Sequence, residues 1–425
     1  MTIRWRWLAC AAVLAGLLAA CSHRADSPVV LRFWAMGREG EVVRQLLPEF
    51  ERAHPGIRVD IQQSPWSAAQ QKLLTAFAGD VTPDLCQLGN TWVPQFAALG
   101  ALAPLDARLA ASRAIPQADF FSGIWESNRI GQSMFGVPWY VDTRLLFYRT
   151  DLLAAAGFDK PPQTWAEWNR MLAALKQTGG ADRFGVLLPI NEFEPLLVLA
   201  LQQKEDLLRD GGRYGNFRSA EFRNTLSYYL DMFHKQWAPA LSNTQISNVW
   251  DEFGRGYFTF YITGPWNIGE FKRRLPAELQ QSWTTAPMPG PNGPGASVAG
   301  GSSLVVFRAS RHQQEAWQLI EYLSRPDVQR RFYELTGNLP SRRSVWDASA
   351  LASDARSVAF RDQLERTRSP PKVPEWDRIA TEMKLVAEAL VAGQFTVDQA
   401  VTELDARADR ILEKRRWMLQ HGGAQ

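Results

Sequence analysis

The chain has 425 residues, which at roughly 100–200 residues per domain means two or three domains and excludes a single small module. Hydrophobic residues make up 46% and charged residues 21%, the balance of a packed globular protein and not of a disordered one. The 47 basic and 44 acidic residues leave a net charge of only +3, so bulk charge gives no reason to expect a nucleic-acid partner. The unusual count is 17 Trp against 9 Tyr.

Residues 1–20 read as an export signal. Arg4 and Arg6 precede an uncharged apolar run of 13 residues from Leu8 to Ala20, too short for a membrane span of roughly 20 residues but right for a signal-peptide core. The run ends in Leu18-Ala19-Ala20-Cys21, which resembles the lipobox of bacterial lipoproteins. That resemblance implies cleavage before Cys21, lipidation of its sulfur, and a short tether over residues 21–28; an ordinary signal peptide cut near Ala20 is the plainer alternative. Either way the protein is expected to be exported, facing the periplasm or the cell exterior. Cys86 is then left with no disulfide partner, and within Asp84-Leu85-Cys86-Gln87-Leu88 it reads as a small buried hydrophobe.

Along the mature chain, Val29–Phe33 is a β-prone run ending at Trp34. A helical stripe of Val42, Val43, Leu46, Leu47 and Phe50 follows, and Pro48 within it predicts a break. Ile57–Ile61 alternates as a strand, residues 69–78 return to a helical pattern, Asp84–Leu88 is a third strand, and a helix is expected near Pro94–Leu99. Strands alternating with helices predict βαβ units and a parallel sheet. Thr164-Trp165-Ala166-Glu167 and Thr396-Val397-Asp398-Gln399 fit the capping box that opens helices. Pro287–Gly301, rich in Pro and Gly, reads as a connector between lobes. Two amphipathic helices are expected in the last 50 or so residues, one around Ile379–Leu390 and one around Val397–Ile411.

The Trp residues collect at strand ends and beside Gly or Pro. Trp34, Trp66 and Trp92 each follow a predicted strand, Trp139 and Tyr140 sit in Val137-Pro138-Trp139-Tyr140, Trp266 in Gly264-Pro265-Trp266, and Trp376 in Pro374-Glu375-Trp376. Ligands of open α/β sheets bind outside the carboxyl ends of the strands, and flat indole faces suit the C–H faces of a sugar ring while nearby acids and amides serve its hydroxyls. Trp165, Trp168, Trp317 and Trp417, on helical stretches, read instead as core. No phosphate loop, HExxH, CxxC or GxSxG motif is present, and the sequence calls for no cofactor or metal. With 44 acidic residues, a pair of carboxylates for glycoside hydrolysis stays open, so a lipid-anchored glycosidase or lyase is the enzyme alternative.

Several short motifs occur in a telling order: Phe50-Glu51-Arg52-Ala53-His54-Pro55-Gly56-Ile57, Thr82-Pro83-Asp84-Leu85, Gly136-Val137-Pro138, Leu145 through Leu153, Pro161-Pro162-Gln163-Thr164-Trp165, Gly264-Pro265-Trp266, Ala299-Gly300-Gly301, Ala316-Trp317 and Gly337-Asn338-Leu339-Pro340. In this order behind a lipobox the chain resembles the extracellular solute-binding protein family 1, the carbohydrate-binding components of ABC importers. The resemblance implies a two-lobed α/β fold of the periplasmic-binding-protein type II, with a ligand cleft between lobes and a monomeric protein. It places the first lobe at residues 29–140 and 286–325, and the second at 141–285 and 326–421. The positions it implies for the ligand are Glu39, Trp66, Gln71, Asn90, Trp92, Tyr140, Asp142, Arg144, Trp266, Gly301, Ser302 and Trp376. Arg368 lies slightly out of register with an Arg that relatives can carry before the last of these loops.

The function implied is capture of a neutral oligosaccharide, an α-linked disaccharide such as maltose or trehalose, for delivery to ABC permease subunits in the membrane. A sensory sugar receptor without a transport partner reads identically from sequence. An anionic ligand would want two or more cations in the cleft, and the candidate loops offer mainly Arg38 and Arg144.

Overall fold

The computed structural model describes residues 28–421 apart from 247 and 349, so the signal segment and Cys21 lie outside the described residues. Val29–Met36 (β1) buries Leu31, Phe33 and Ala35 on one face, the alternation that a strand imposes on side chains. The helical stripe after it is broken as Pro48 requires. Gly37–Val42 (α1) passes through a 3₁₀ turn, and Leu47–Ala53 (α2) restarts with Pro48 in its first turn, where a missing N–H is harmless. Ile57–Ser64 (β2) and Leu85–Gly89 (β3) flank β1 in parallel register, and are followed by Trp66–Ala78 (α3) and Val93–Ala98 (α4).

Val137–Asp142 (β4) belongs to the same sheet, whereas Leu145–Arg149 (β5), three residues on, belongs to another. The second sheet adds Phe184–Leu187 (β6), Phe258–Thr263 (β7) and Trp283–Ala286 (β8) in the order β8-β5-β7-β6. Its helices include Trp165–Gly179 (α5), opened by the predicted capping box, Glu194–Leu201 (α6) and Trp266–Arg274 (α7). The chain returns through residues 287–299 to Gly300–Val306 (β9), so the Pro- and Gly-rich connector does run from one sheet to the other.

The first sheet is completed by Leu339–Pro340 (β10), giving the order β10-β4-β9-β3-β1-β2. It is mixed, not parallel as predicted: β9 runs antiparallel to β3 and β4, and β10 antiparallel to β4. The helix Pro326–Thr336 (α8) puts Val328 and Phe332 into one core with Phe33, Phe50 and Trp139. Residues 326–340 therefore sit with the first sheet, not with the second as the sequence reading had it; a two-residue strand leaves no periodicity to read. Ala355–Leu364 (α9) packs on β8, and Trp376–Val391 (α10) and Val397–Ile411 (α11) close the core around Trp168, Phe260 and Met383.

Two aromatic expectations fail here. Trp139 is buried and stacks on Phe332 at 4.4 Å between ring centroids, so it is core. Trp417, expected in the core, is 61% exposed and stacks on His421. Cys86 is buried in β3 as expected, and burial pushes its thiol well above the ordinary range. None of the helices among the described residues is long and apolar enough to cross a membrane.

Candidate functional site

The carboxyl ends of β1, β2 and β3 face the second sheet across a cleft of about 550 Å³, within the roughly 300–1,000 Å³ usual for small-molecule sites. Ten of the twelve residues named from sequence line it: Glu39, Trp66, Asn90, Trp92, Tyr140, Asp142, Arg144, Trp266, Gly301 and Trp376. Gln71 does not; it lies exposed on α3, one turn beyond the helix start. Ser302 does not either, being wholly buried in β9 opposite Tyr140. Trp34, a further aromatic considered, stays in the sheet with the Lys72 ammonium 4.9 Å from its ring.

On the first-sheet side, Trp66 at the start of α3 and Trp92 in the turn after β3 form an aromatic corner, their centroids 5.6 Å apart and planes tilted by 58°. Glu39, in α1, is 8% exposed. Tyr140 is buried, and Gln87 donates to its hydroxyl oxygen at 3.2 Å. Burial, and next the Glu39 carboxylate, push the Tyr140 phenol well above its ordinary range, so it stays a neutral group with a proton to donate.

Asn90 is committed to scaffolding. Its Nδ2 donates to the Gly300 carbonyl at 3.0 Å and its Oδ1 accepts from the Ser303 hydroxyl at 2.9 Å. It ties the loop after β3 to the returning strand. Trp376 is 2% exposed and belongs to the core of the second lobe, so it forms part of the cleft wall and not a free stacking face.

On the second-sheet side, Arg144 follows β4 at the crossing between sheets. Its Nη1 donates to Asp142 Oδ1 at 2.7 Å, and its Nη2 lies 3.9 Å from Glu194 Oε1. Trp266 opens α7 and is 46% exposed. Phe193, Glu194, Leu197, Asn338, Pro370 and Asp377 complete much of the lining and escaped the sequence reading. Glu194 and Leu197 come from a helix whose run Pro195–Leu201 is buried throughout, so no amphipathic stripe marks a cleft-facing side. Asp377 lies directly after the predicted Trp376, and adjacency was the available signal. Burial raises the Asp377 carboxyl, against a hydrogen bond from Gln70. Arg368 is turned away from this lining, donating to the Leu201 and Gln203 carbonyls and pairing with Asp206 at 3.0 Å. No group of His, Cys, Asp and Glu among the described residues could hold a metal ion.

The structure matches that of the sugar-binding protein MalE from the phytopathogen Xanthomonas citri with a TM-score of 0.90 and 54% identity, covering 92% of this chain and 99% of that one. That likeness bears out the two-lobed α/β fold expected from sequence. The diacetylchitobiose binding protein DasA of Streptomyces coelicolor is 23% identical over 361 residues, 84% of this chain and 83% of its own. A lipoprotein of Streptomyces antibioticus is 28% identical over 399 residues, 87% of this chain and 85% of its own. Residues 36–330, which run through both sheets, match the model of the bacterial extracellular solute-binding proteins, and the chain belongs to that family.

Proposed function

We propose that this protein captures a neutral oligosaccharide in the cleft and hands it to the permease subunits of an ABC importer, as an exported protein held to the membrane by lipid on Cys21. The observation that carries this reading is the pairing of aromatic surface with acids in one cleft. Trp66 and Trp92 stand on one side and Trp266 on the other, with Glu39, Asp142, Glu194 and Asp377 among them. Indoles cover the apolar faces of pyranose rings, and carboxylates accept from hydroxyls in strong charge-assisted hydrogen bonds.

Charge favours a neutral ligand. Arg144 is matched by Asp142 and Glu194, and Arg38 donates to the Leu335 carbonyl, so neither cation of the lining stands free for an anion. The named activities of the Xanthomonas and Streptomyces coelicolor relatives, sugar binding and diacetylchitobiose binding, support the same class. An α-linked disaccharide, maltose or trehalose, is the ligand proposed, acting on a monomer that binds without chemical conversion.

Calorimetric titration of the purified protein with maltose, trehalose, diacetylchitobiose and glucose 1-phosphate tests this. Saturable binding of a neutral sugar, recovered unchanged, with glucose 1-phosphate silent, is the expected result. Release of free monosaccharide would favour a carbohydrate-active enzyme instead, and binding of the phosphate alone would overturn the neutral class.

A further inference from the structure

Trp266 presents a large indole to the cleft at 46% exposure, and an aromatic side chain so exposed at a helix start has rotamers to lose when a ligand packs on it. Two features hold this one before any ligand arrives. A Cβ added to Gly264 would fall 1.9 Å from the indole, so the ring lies back against the backbone where only glycine leaves room. The Arg144 guanidinium lies over the same ring, 4.5 Å from its centroid, within the range of a cation–π contact.

Arg144 is itself fixed. Its side chain is tied to Asp142 at 2.7 Å and faces Glu194 at 3.9 Å. Its carbonyl accepts from the Ser297 hydroxyl at 2.6 Å, in the other segment that crosses between the sheets. Its charge is spent on carboxylates and its plane on an indole. We infer that Arg144 is a positioning residue: from the crossing between the lobes it sets the Trp266 indole in its cleft-facing orientation, and it does not hold the ligand. This rests on the cleft being the sugar site. It deepens that reading, because a ring set in advance lowers the ordering cost of binding.

The test uses the full mature protein labelled with 6-fluorotryptophan, the Trp266 fluorine line being identified by its loss in Trp266→Phe. Without ligand, the wild type gives a Trp266 line broadened by tumbling with the whole protein, and Arg144→Met narrows it as the indole samples other rotamers on the ps–ns scale of exposed side chains. Arg144→Lys restores charge opposite Asp142 and Glu194 but not a planar stack, so it leaves the line narrow. A line in Arg144→Met as broad as in the wild type overturns the inference, as does full restoration by Lys, which would assign Arg144 to charge balance alone.

Maltose titration supplies the second readout. Arg144→Met weakens maltose binding about 10-fold in the wild-type background and adds nothing in Trp266→Ala, because residues acting through one another are not additive. A further tenfold loss in Trp266→Ala would show direct ligand contact and overturn it. If the wild type binds no neutral oligosaccharide, the proposed function fails while the fluorine line still decides the role of Arg144.

Discussion

The Glu39 carboxylate accepts a hydrogen bond of 2.8 Å from the side-chain amide of Asn338, across 299 positions of the chain. One comes from α1 and the other from the turn between α8 and β10, and the bond exists because that late segment packs with the first sheet. Glu39 is 8% exposed, so a lost partner leaves a mostly buried acceptor short of a hydrogen bond, which costs about 1–3 kcal/mol. Asn338→Ala is expected to lower the melting temperature and weaken sugar binding together. Asn338→Asp, which sets a second carboxylate against the first, is expected to bind more weakly still. Equal melting temperatures for wild type and Asn338→Ala would show that the bond carries nothing.

The burial of the indoles separates binding effects from folding effects. Trp66→Ala and Trp266→Ala should each weaken sugar binding roughly 30-fold, since truncating an aromatic hot spot costs about 2 kcal/mol and about 1.4 kcal/mol is a factor of ten. Trp376→Ala should instead cost about 3–5 kcal/mol of stability, the range for emptying a core site of that size, because Trp376 is 2% exposed. Trp417→Ala should leave both affinity and melting temperature alone. Calorimetry and thermal melting of the four variants check this; unchanged affinity in both Trp66→Ala and Trp266→Ala, with the fold intact, would misplace the site.

Much of this site was legible because its residues sit at strand ends beside Gly or Pro. Trp66 and Trp92 could be placed by rule, since strand direction sets which loops share an edge, although the same rule named Trp34, which does not line the cleft; Trp266 was marked by the Gly-Pro turn before it. Asp142 needed the family resemblance, as a buried strand such as β4 shows no alternation. Asn338 and Glu194 stayed hidden for a different reason. Their position depends on which sheet a short segment joins or on how a uniformly apolar helix is turned, and local pattern carries neither. Trp139 misled because it lies with Pro138 inside the buried strand β4 and not in a loop.

Glu192, next to the cleft, should make stability depend on pH. Burial first, and then the Glu194 carboxylate, raise its carboxyl from 4.5 to about 7, against the Arg144 charge. Tyr261 and Tyr229 also face it, and Asn243 donates to it at 2.6 Å. The folded state thus keeps a proton that the unfolded chain releases, so stability falls as pH rises from about 4.5 to about 7 and levels off above. Glu192→Gln should remove that slope and melt at a higher temperature than wild type at about pH 8. Parallel melting curves against pH for the two proteins would refute the assignment.

The proposed membrane attachment is assigned to Cys21 by the Leu18-Ala19-Ala20-Cys21 motif. Cys21→Ser should move the protein from the membrane fraction to the soluble one without altering sugar affinity, as the cleft is lined by residues from Gly37 onward. A serine variant that still sediments with membranes would rule out the lipid anchor.

The two crossings near the cleft are bonded to each other: Thr143 Oγ1 donates to the Val298 carbonyl at 2.8 Å, and Ser297 Oγ to the Arg144 carbonyl at 2.6 Å. Gly301 pairs with Val141 beside them at a φ of 108°, and a Cβ there would fall 2.4 Å from the Tyr140 carbonyl oxygen. Beside the crossings, Phe121 and Ile124 share an apolar core with Val141, Phe147 and Phe360, and other contacts between the lobes are polar. Gln70 donates to Asp377 at 3.0 Å, and Lys372 donates to the Glu126 and Arg129 carbonyls at 2.6 and 3.1 Å. Such contacts open cheaply, so the lobes should pivot about the bonded crossings and close where ligand adds contacts to both sides. Saturating maltose should therefore reduce the radius of gyration of the wild type in small-angle scattering. Gly301→Ala, strained in φ and pressed against Tyr140, should melt lower and show a smaller change in radius. An unchanged radius in the wild type at saturating ligand would mean that the cleft binds without closure and that Gly301 serves the fold alone.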